Sequence, residues 1–211
     1  MNKLVERIRK DDFPVLFGMA ELYSLNFDNK EILIMFDEAI KNEWINNVYK
    51  DIYKLGRKYQ TVVIAEEAIA QKIVPNSYVS MNFILSQQSW IPEAVYTTTS
   101  VTYENNFLIK TERYGKYSYE KLYDKVNMAG IYTVEDESGK YKVAKPLRAL
   151  CDLIRSYNQK WNSIDELHDT LRIDYADFEK LTAIDFDELQ GTFNIENIED
   201  MLTGIRWDLK I

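Results

Sequence analysis

The sequence has one cysteine, one histidine, four prolines and seven glycines in 211 residues. A single cysteine, Cys151, excludes an internal disulfide. With one histidine, His168, a structural zinc site of Cys and His ligands cannot be assembled. A Cys–His or Ser–His catalytic pair would have to use His168, which sits in an acidic helical stretch. There is no phosphate-binding P-loop and no Gly-rich dinucleotide turn, so the sequence carries no cofactor motif. No apolar run approaches the roughly 18 residues of a membrane span. The first ten residues are charged and lack the apolar core of a secretory signal. These absences predict a cytoplasmic protein with no membrane partner, and a binding or regulatory protein before an enzyme.

What is present suits a packed chain. Hydrophobic residues make up 46% of the sequence and charged residues 28%, and the low Gly and Pro content is unlike that of disordered proteins. The net charge is −8, and it is unevenly spread. Residues 1–60 carry 10 basic and 10 acidic side chains, and residues 61–155 carry 11 of each. Residues 156–211 carry 5 and 13, so the whole excess lies in the last quarter. Any nucleic-acid contact must therefore be local. The acidic C-terminal region suits a basic protein partner, or else a solvated helical face.

Periodicity predicts an α+β protein in two parts. Residues 1–58 read as three helices and a hairpin: Leu4 to Lys10, Phe17 to Leu25, and a helix opened by Asp28 with Glu31 in a capping box. In that third helix Ile32, Leu33, Phe36, Ala39 and Ile40 are expected on one face. Trp44 to Tyr49 and Ile52 to Leu55 read as strands about a turn at Lys50–Asp51, closed by Gly56. This is the outline of a winged helix-turn-helix domain, whose third helix enters the major groove while the hairpin tracks the backbone. The candidate DNA-binding residues are Lys41, Asn42, Lys50, Lys54, Arg57 and Lys58, opposed only by Glu43 and Asp51. Cations so clustered suit phosphates. The outer face of the third helix, with Glu31, Ile34, Met35, Glu38 and Asn42, suits a protein partner better than a base edge.

Residues 60–211 are expected to form the second part. A helix is predicted over Ala65–Ile73 and another from Met81 to about Trp90, capped by Ser80. Val/Tyr/Thr-rich segments between 94 and 144 predict a mixed or antiparallel sheet. Pro146 starts a helix in which Leu147, Leu150, Cys151 and Ile154 form a buried stripe, Cys151 being a small core residue. Arg148 and Asp152 lie i, i+4 on the neighbouring face and can pair. The acidic region 156–211 reads as helices. Its Asp185-Phe-Asp187 is a pair of the kind nucleotidyltransferases use for metal, but those enzymes also need a Gly-Ser just upstream, which the sequence lacks, so these are read as acids at a helix start.

Two segments resemble a known family. Ser77-Tyr-Val-Ser80, the helix that follows, and Ile91-Pro-Glu-Ala-Val-Tyr-Thr-Thr-Thr-Ser-Val-Thr102 are similar to the central signature of AbiEi-type antitoxins, the regulator half of bacterial type IV toxin–antitoxin (abortive infection) systems. Val143-Ala-Lys-Pro-Leu-Arg-Ala-Leu-Cys-Asp-Leu-Ile154 resembles that family's helix start, with Arg148 in its cation position and Asp152 in its acid position. Lys41 to Leu55 is similar to the family's hairpin, with Asp51 where glycine is usual. The resemblance implies a non-enzymatic antitoxin that represses its own operon through operator DNA and neutralises a nucleotidyltransferase-type toxin. It puts Arg148 and Asp152 forward as partner-binding residues. It leaves a family member that has lost DNA recognition and serves as a protein-interaction module as the alternative. A carboxylate enzyme acting on nucleotides is the reading from another class, and self-association is compatible with all three.

Overall fold

The structure, a computed structural model, describes residues 2–10, 13–60, 62–125 and 127–211. The chain divides into two compact units. The first comprises residues 1–75 with the short segments 111–114 and 134–141, and the second comprises the remainder.

The first unit opens with helices α1 (Lys3–Lys10), α2 (Met19–Tyr23) and α3 (Asn29–Lys41). The hairpin strands β1 (Ile45–Tyr49) and β2 (Ile52–Leu55) follow, and then α4 (Glu66–Ile73). Helix α1 buries Leu4, Val5 and Ile8, with Leu4 and Ile8 one turn apart, and α3 buries Ile32, Phe36 and Ala39 at the i, i+4, i+7 spacing of one helical face. These join Phe17, Leu22, Leu25 and Ile45 in a single apolar cluster. Leu33, expected in the α3 stripe, faces outward instead. Asp28 caps α3 by accepting from the Lys30 amide at 2.8 Å. The expected second helix is shorter than its apolar run, because Phe17 leaves it to exchange both backbone hydrogen bonds with Tyr53 of the hairpin.

The hairpin pairs Ile45 with Leu55, Asn46 with Lys54 and Asn47 with Tyr53, with a bulge between Asn47 and Tyr49. Its tip places Lys50 at φ 46°, and the Asn47 amide braces that turn by donating to the Lys50 carbonyl at 2.6 Å. Gly56 ends β2 where a side chain has no room: a Cβ there would lie 2.0 Å from the Glu43 carbonyl oxygen.

The second unit holds a mixed sheet in the order β5-β6-β4-β3-β8-β7, whose outermost hairpin tip, 134–141, is counted with the first unit. The strands are β3 (Ser77–Val79), β4 (Thr97–Thr102), β5 (Phe107–Lys110), β6 (Lys116–Lys121), β7 (Ile131–Asp136) and β8 (Gly139–Ala144). β3 runs antiparallel to β4 and parallel to β8, and β4 runs parallel to β6. The short β3 stands in the middle of the sheet, outside the span 94–144 assigned to strands from sequence.

Helix α5 (Met81–Gln87) packs on β4 and on α6 (Pro146–Tyr157). The expected stripe on α6 is part of something larger, since every residue from Leu147 to Ile154 is buried. Cys151 is indeed a core residue, with its thiol pushed up by burial. The remaining helices are α7 (Ile164–Leu171), α8 (Tyr175–Phe178), α9 (Ala183–Leu189) and α10 (Glu196–Leu209), and α10 packs on α6, α7 and α9. No helix among the described residues is long and apolar enough to cross a membrane.

Candidate functional site

The hairpin carries the basic residues read from the sequence. Lys50 is exposed at the tip, its ammonium 5.2 Å from the Tyr49 ring. Arg57 and Lys58 are exposed in the turn after β2, and Lys58 stands 5.6 Å from the Tyr59 ring. Arg9 of α1 lies 5.5 Å from the same ring, so two elements converge there. Lys41 is exposed in the last turn of α3, and Asn42 caps that helix by donating its amide to the Glu38 carbonyl at 2.8 Å.

Lys54 differs from the others. It is half-buried, donates to the Gln60 side chain and lies 5.5 Å from the Tyr114 ring. Burial lowers its pKa below the ordinary lysine value. Tyr114 belongs to the segment 111–114 of the same unit, and its hydroxyl is hydrogen-bonded by Asn46, the cross-strand neighbour of Lys54. The adjacent Arg113 is exposed, with its guanidinium 4.0 Å from the Glu43 carboxylate. Neither residue is signalled by local sequence, because the segment joins the hairpin from more than fifty residues away.

The outer face of α3 is acidic and apolar, as its sequence implies. Glu31 and Glu38 are exposed, and Ile34 is 70% exposed. The Asn2 amide donates to both the Met35 carbonyl (2.7 Å) and the Glu38 carboxylate (2.9 Å), laying the start of the chain against that face.

In the second unit, Arg148 and Asp152 pair as the i, i+4 spacing predicts, at 3.0 Å, but not on the surface. Both side chains are fully buried, because α5, the sheet and α10 leave α6 no exposed face over these turns. Each guanidinium nitrogen is engaged: Nε donates to Asp152 Oδ1, Nη1 to the Ala129 carbonyl at 2.9 Å, and Nη2 to the Tyr78 hydroxyl at 2.6 Å. Asp152 accepts in addition from Tyr123 at 2.7 Å and from Ser80 at 2.6 Å. The rings of Tyr78, Tyr123 and Phe193 surround the cation with centroids 4.8–5.3 Å from Cζ. Burial is the largest influence on Arg148 and works against its charge, but Asp152, Tyr78 and Tyr123 together outweigh it and hold the pKa above the ordinary value. Burial, reinforced by Asp152, also raises Tyr78 and Tyr123, so both stay protonated, Tyr78 accepting from Arg148 and Tyr123 donating to Asp152. As placed here, Arg148 and Asp152 can shape a partner surface from beneath but cannot touch a partner.

The cluster unites the two resembling segments: Tyr78 and Ser80 come from one, Arg148 and Asp152 from the other. The Asp185–Asp187 pair is engaged locally. Asp185 accepts from the Thr182 amide and hydroxyl at the start of α9, and Asp187 meets Arg206 at 2.7 Å. Among the described residues, no group of three or more His, Cys, Asp or Glu side chains could hold a metal ion. No family model matches the chain, and no curated protein matches it.

Proposed function

We propose that the protein is a cytoplasmic antitoxin and transcriptional autoregulator of a type IV toxin–antitoxin system. In this reading the first unit is a winged helix-turn-helix that grips operator DNA with its hairpin. The second unit neutralises a nucleotidyltransferase-type toxin. The observation that carries the reading is the convergence of the two resembling segments on one buried cluster, Tyr78 and Ser80 against Arg148 and Asp152. Segments that resemble one family and interlock in space support common descent better than either does alone. The engagement of Asp185 and Asp187 by neighbouring side chains supports a non-enzymatic protein.

The toxin surface would draw on the acidic residues of 156–211, with Arg148 and Asp152 fixing the helices beneath it. Charge complementarity there would mainly accelerate encounter, while apolar anchors hold the complex. The test is co-expression with a nucleotidyltransferase encoded beside the gene, scored by growth. Full rescue by the intact chain supports the proposal. Toxicity unchanged by co-expression rejects it.

The second reading is a relative that has lost DNA recognition and acts as a protein-interaction module. It is favoured by one observation, the exposed Glu31, Ile34 and Glu38 on α3, where acids flanking a groove-reading face would be repelled by the phosphates. Growth rescue without any shift of promoter DNA would select it.

A further inference from the structure

We propose that the loop 111–114 is part of the DNA-contacting surface and that Arg113 is a phosphate-binding residue of it. The inference rests on the DNA-binding reading of the first unit. Its starting point is the condition of Lys54. That ammonium already donates to Gln60 and lies against the Tyr114 ring. A phosphate reaching it would have to displace one or both.

The loop that covers Lys54 brings its own cation. Tyr114 is fastened to the hairpin by Asn46 and by the Lys54 ammonium. The Thr111 hydroxyl accepts from the Tyr114 amide at 2.8 Å, which closes the loop into a fixed turn. Arg113, the residue before that anchor, is 68% exposed and reaches toward Glu43 at the junction of α3 and β1. Glu43 directly follows Lys41 and Asn42, so Arg113 joins the patch at that point and offsets its nearest acid. A guanidinium has five donors in a planar fork, so an interaction with Glu43 leaves donors for a phosphate. Glu112 is exposed in the same loop and carries the opposite sign. The loop thus adds no net charge, and the contribution lies in the placement of Arg113.

The experiment measures the salt dependence of binding by the full chain, using fluorescence anisotropy. The probes are a short duplex from the protein's own promoter and an unrelated duplex of the same length. Arg113→Ala is expected to reduce the log–log salt slope by about 0.9 and to weaken both duplexes equally, as removal of one phosphate-binding cation does. Arg113→Lys is expected to restore the slope. The double variant Arg113→Ala with Glu43→Gln separates a missing cation from an unmasked acid: the slope stays reduced only if Arg113 itself touches phosphate. Thermal melts of each variant establish that it is folded. A slope unchanged in Arg113→Ala, while Lys50→Ala with Arg57→Ala lowers it, overturns the inference and leaves DNA binding by the hairpin intact. A parent chain that binds neither duplex at low salt overturns both.

Discussion

Gly204 and Asn162 approach so closely that a Cβ on residue 204 would lie 1.6 Å from the Asn162 carbonyl oxygen. The α10 backbone is thus seated directly on the segment before α7. A glycine inside a helix ordinarily costs about 1 kcal/mol relative to alanine, yet here alanine cannot be accommodated without moving α10. We expect Gly204→Ala to lower stability by about 1–3 kcal/mol, the usual cost of overpacking. Urea unfolding would measure it, and a gain in stability would show that α10 can shift freely.

The buried Arg148–Asp152 pair predicts an asymmetric mutational response. Removing one partner leaves an uncompensated charge, so Arg148→Met or Asp152→Leu should each cost about 3–5 kcal/mol. Combining the two should be less damaging than the sum of the single losses, because no lone charge then remains. A double-mutant cycle by chemical denaturation gives the answer, and strict additivity would deny the coupling.

Lys145 and Glu188 meet at 2.6 Å, and Glu188 also accepts from the Gly130 amide at 2.9 Å. The bond from Lys145, then that from Gly130, holds the Glu188 carboxyl below its ordinary value. A carboxylate depressed in the folded state contributes stability above its unfolded pKa, and loses it as pH falls through the folded one. Stability should therefore decline on acidification below about pH 4.5, and Glu188→Gln should flatten that part of the profile. Denaturation midpoints across the acid range of parent and variant would test this, with identical profiles counting against it.

Lys50, Arg57 and Lys58 are the exposed cations of the hairpin and the turn after it. Replacing all three with alanine should abolish a gel shift on promoter DNA and reduce the salt slope by about 0.9 for each phosphate no longer neutralised. Binding equal to the parent would remove the hairpin from the DNA interface.

The parts of this fold legible in sequence are those governed by near neighbours. Pro146 marks the start of α6, Asp28 caps α3 through the Lys30 amide, and Leu147, Leu150, Cys151 and Ile154 lie buried as their spacing requires. Strand β3 is not legible, because three residues are too few to display alternation and its partners lie far along the chain. The candidate site divides the same way. An i, i+4 spacing identifies the Arg148–Asp152 pair but cannot say that α6 is enclosed on every side. Local sequence marks Lys54 as a surface cation, and it is the arrival of Tyr114 that half-buries it.

The buried cluster also orders events during synthesis. Tyr78 and Arg148 are 70 residues apart, and Ser80 and Asp152 are 72 apart. The apolar cluster of the first unit, by contrast, draws on residues 4–59. A chain emerging from the ribosome therefore offers Tyr78 and Ser80 long before their charged partners exist. Interactions of such separation close slowly, since loop entropy must be overcome first. The apolar cluster beneath the hairpin can form while the second unit is still waiting for α6, and a chain released before Asp152 lacks the acid on which Ser80, Tyr123 and Arg148 converge.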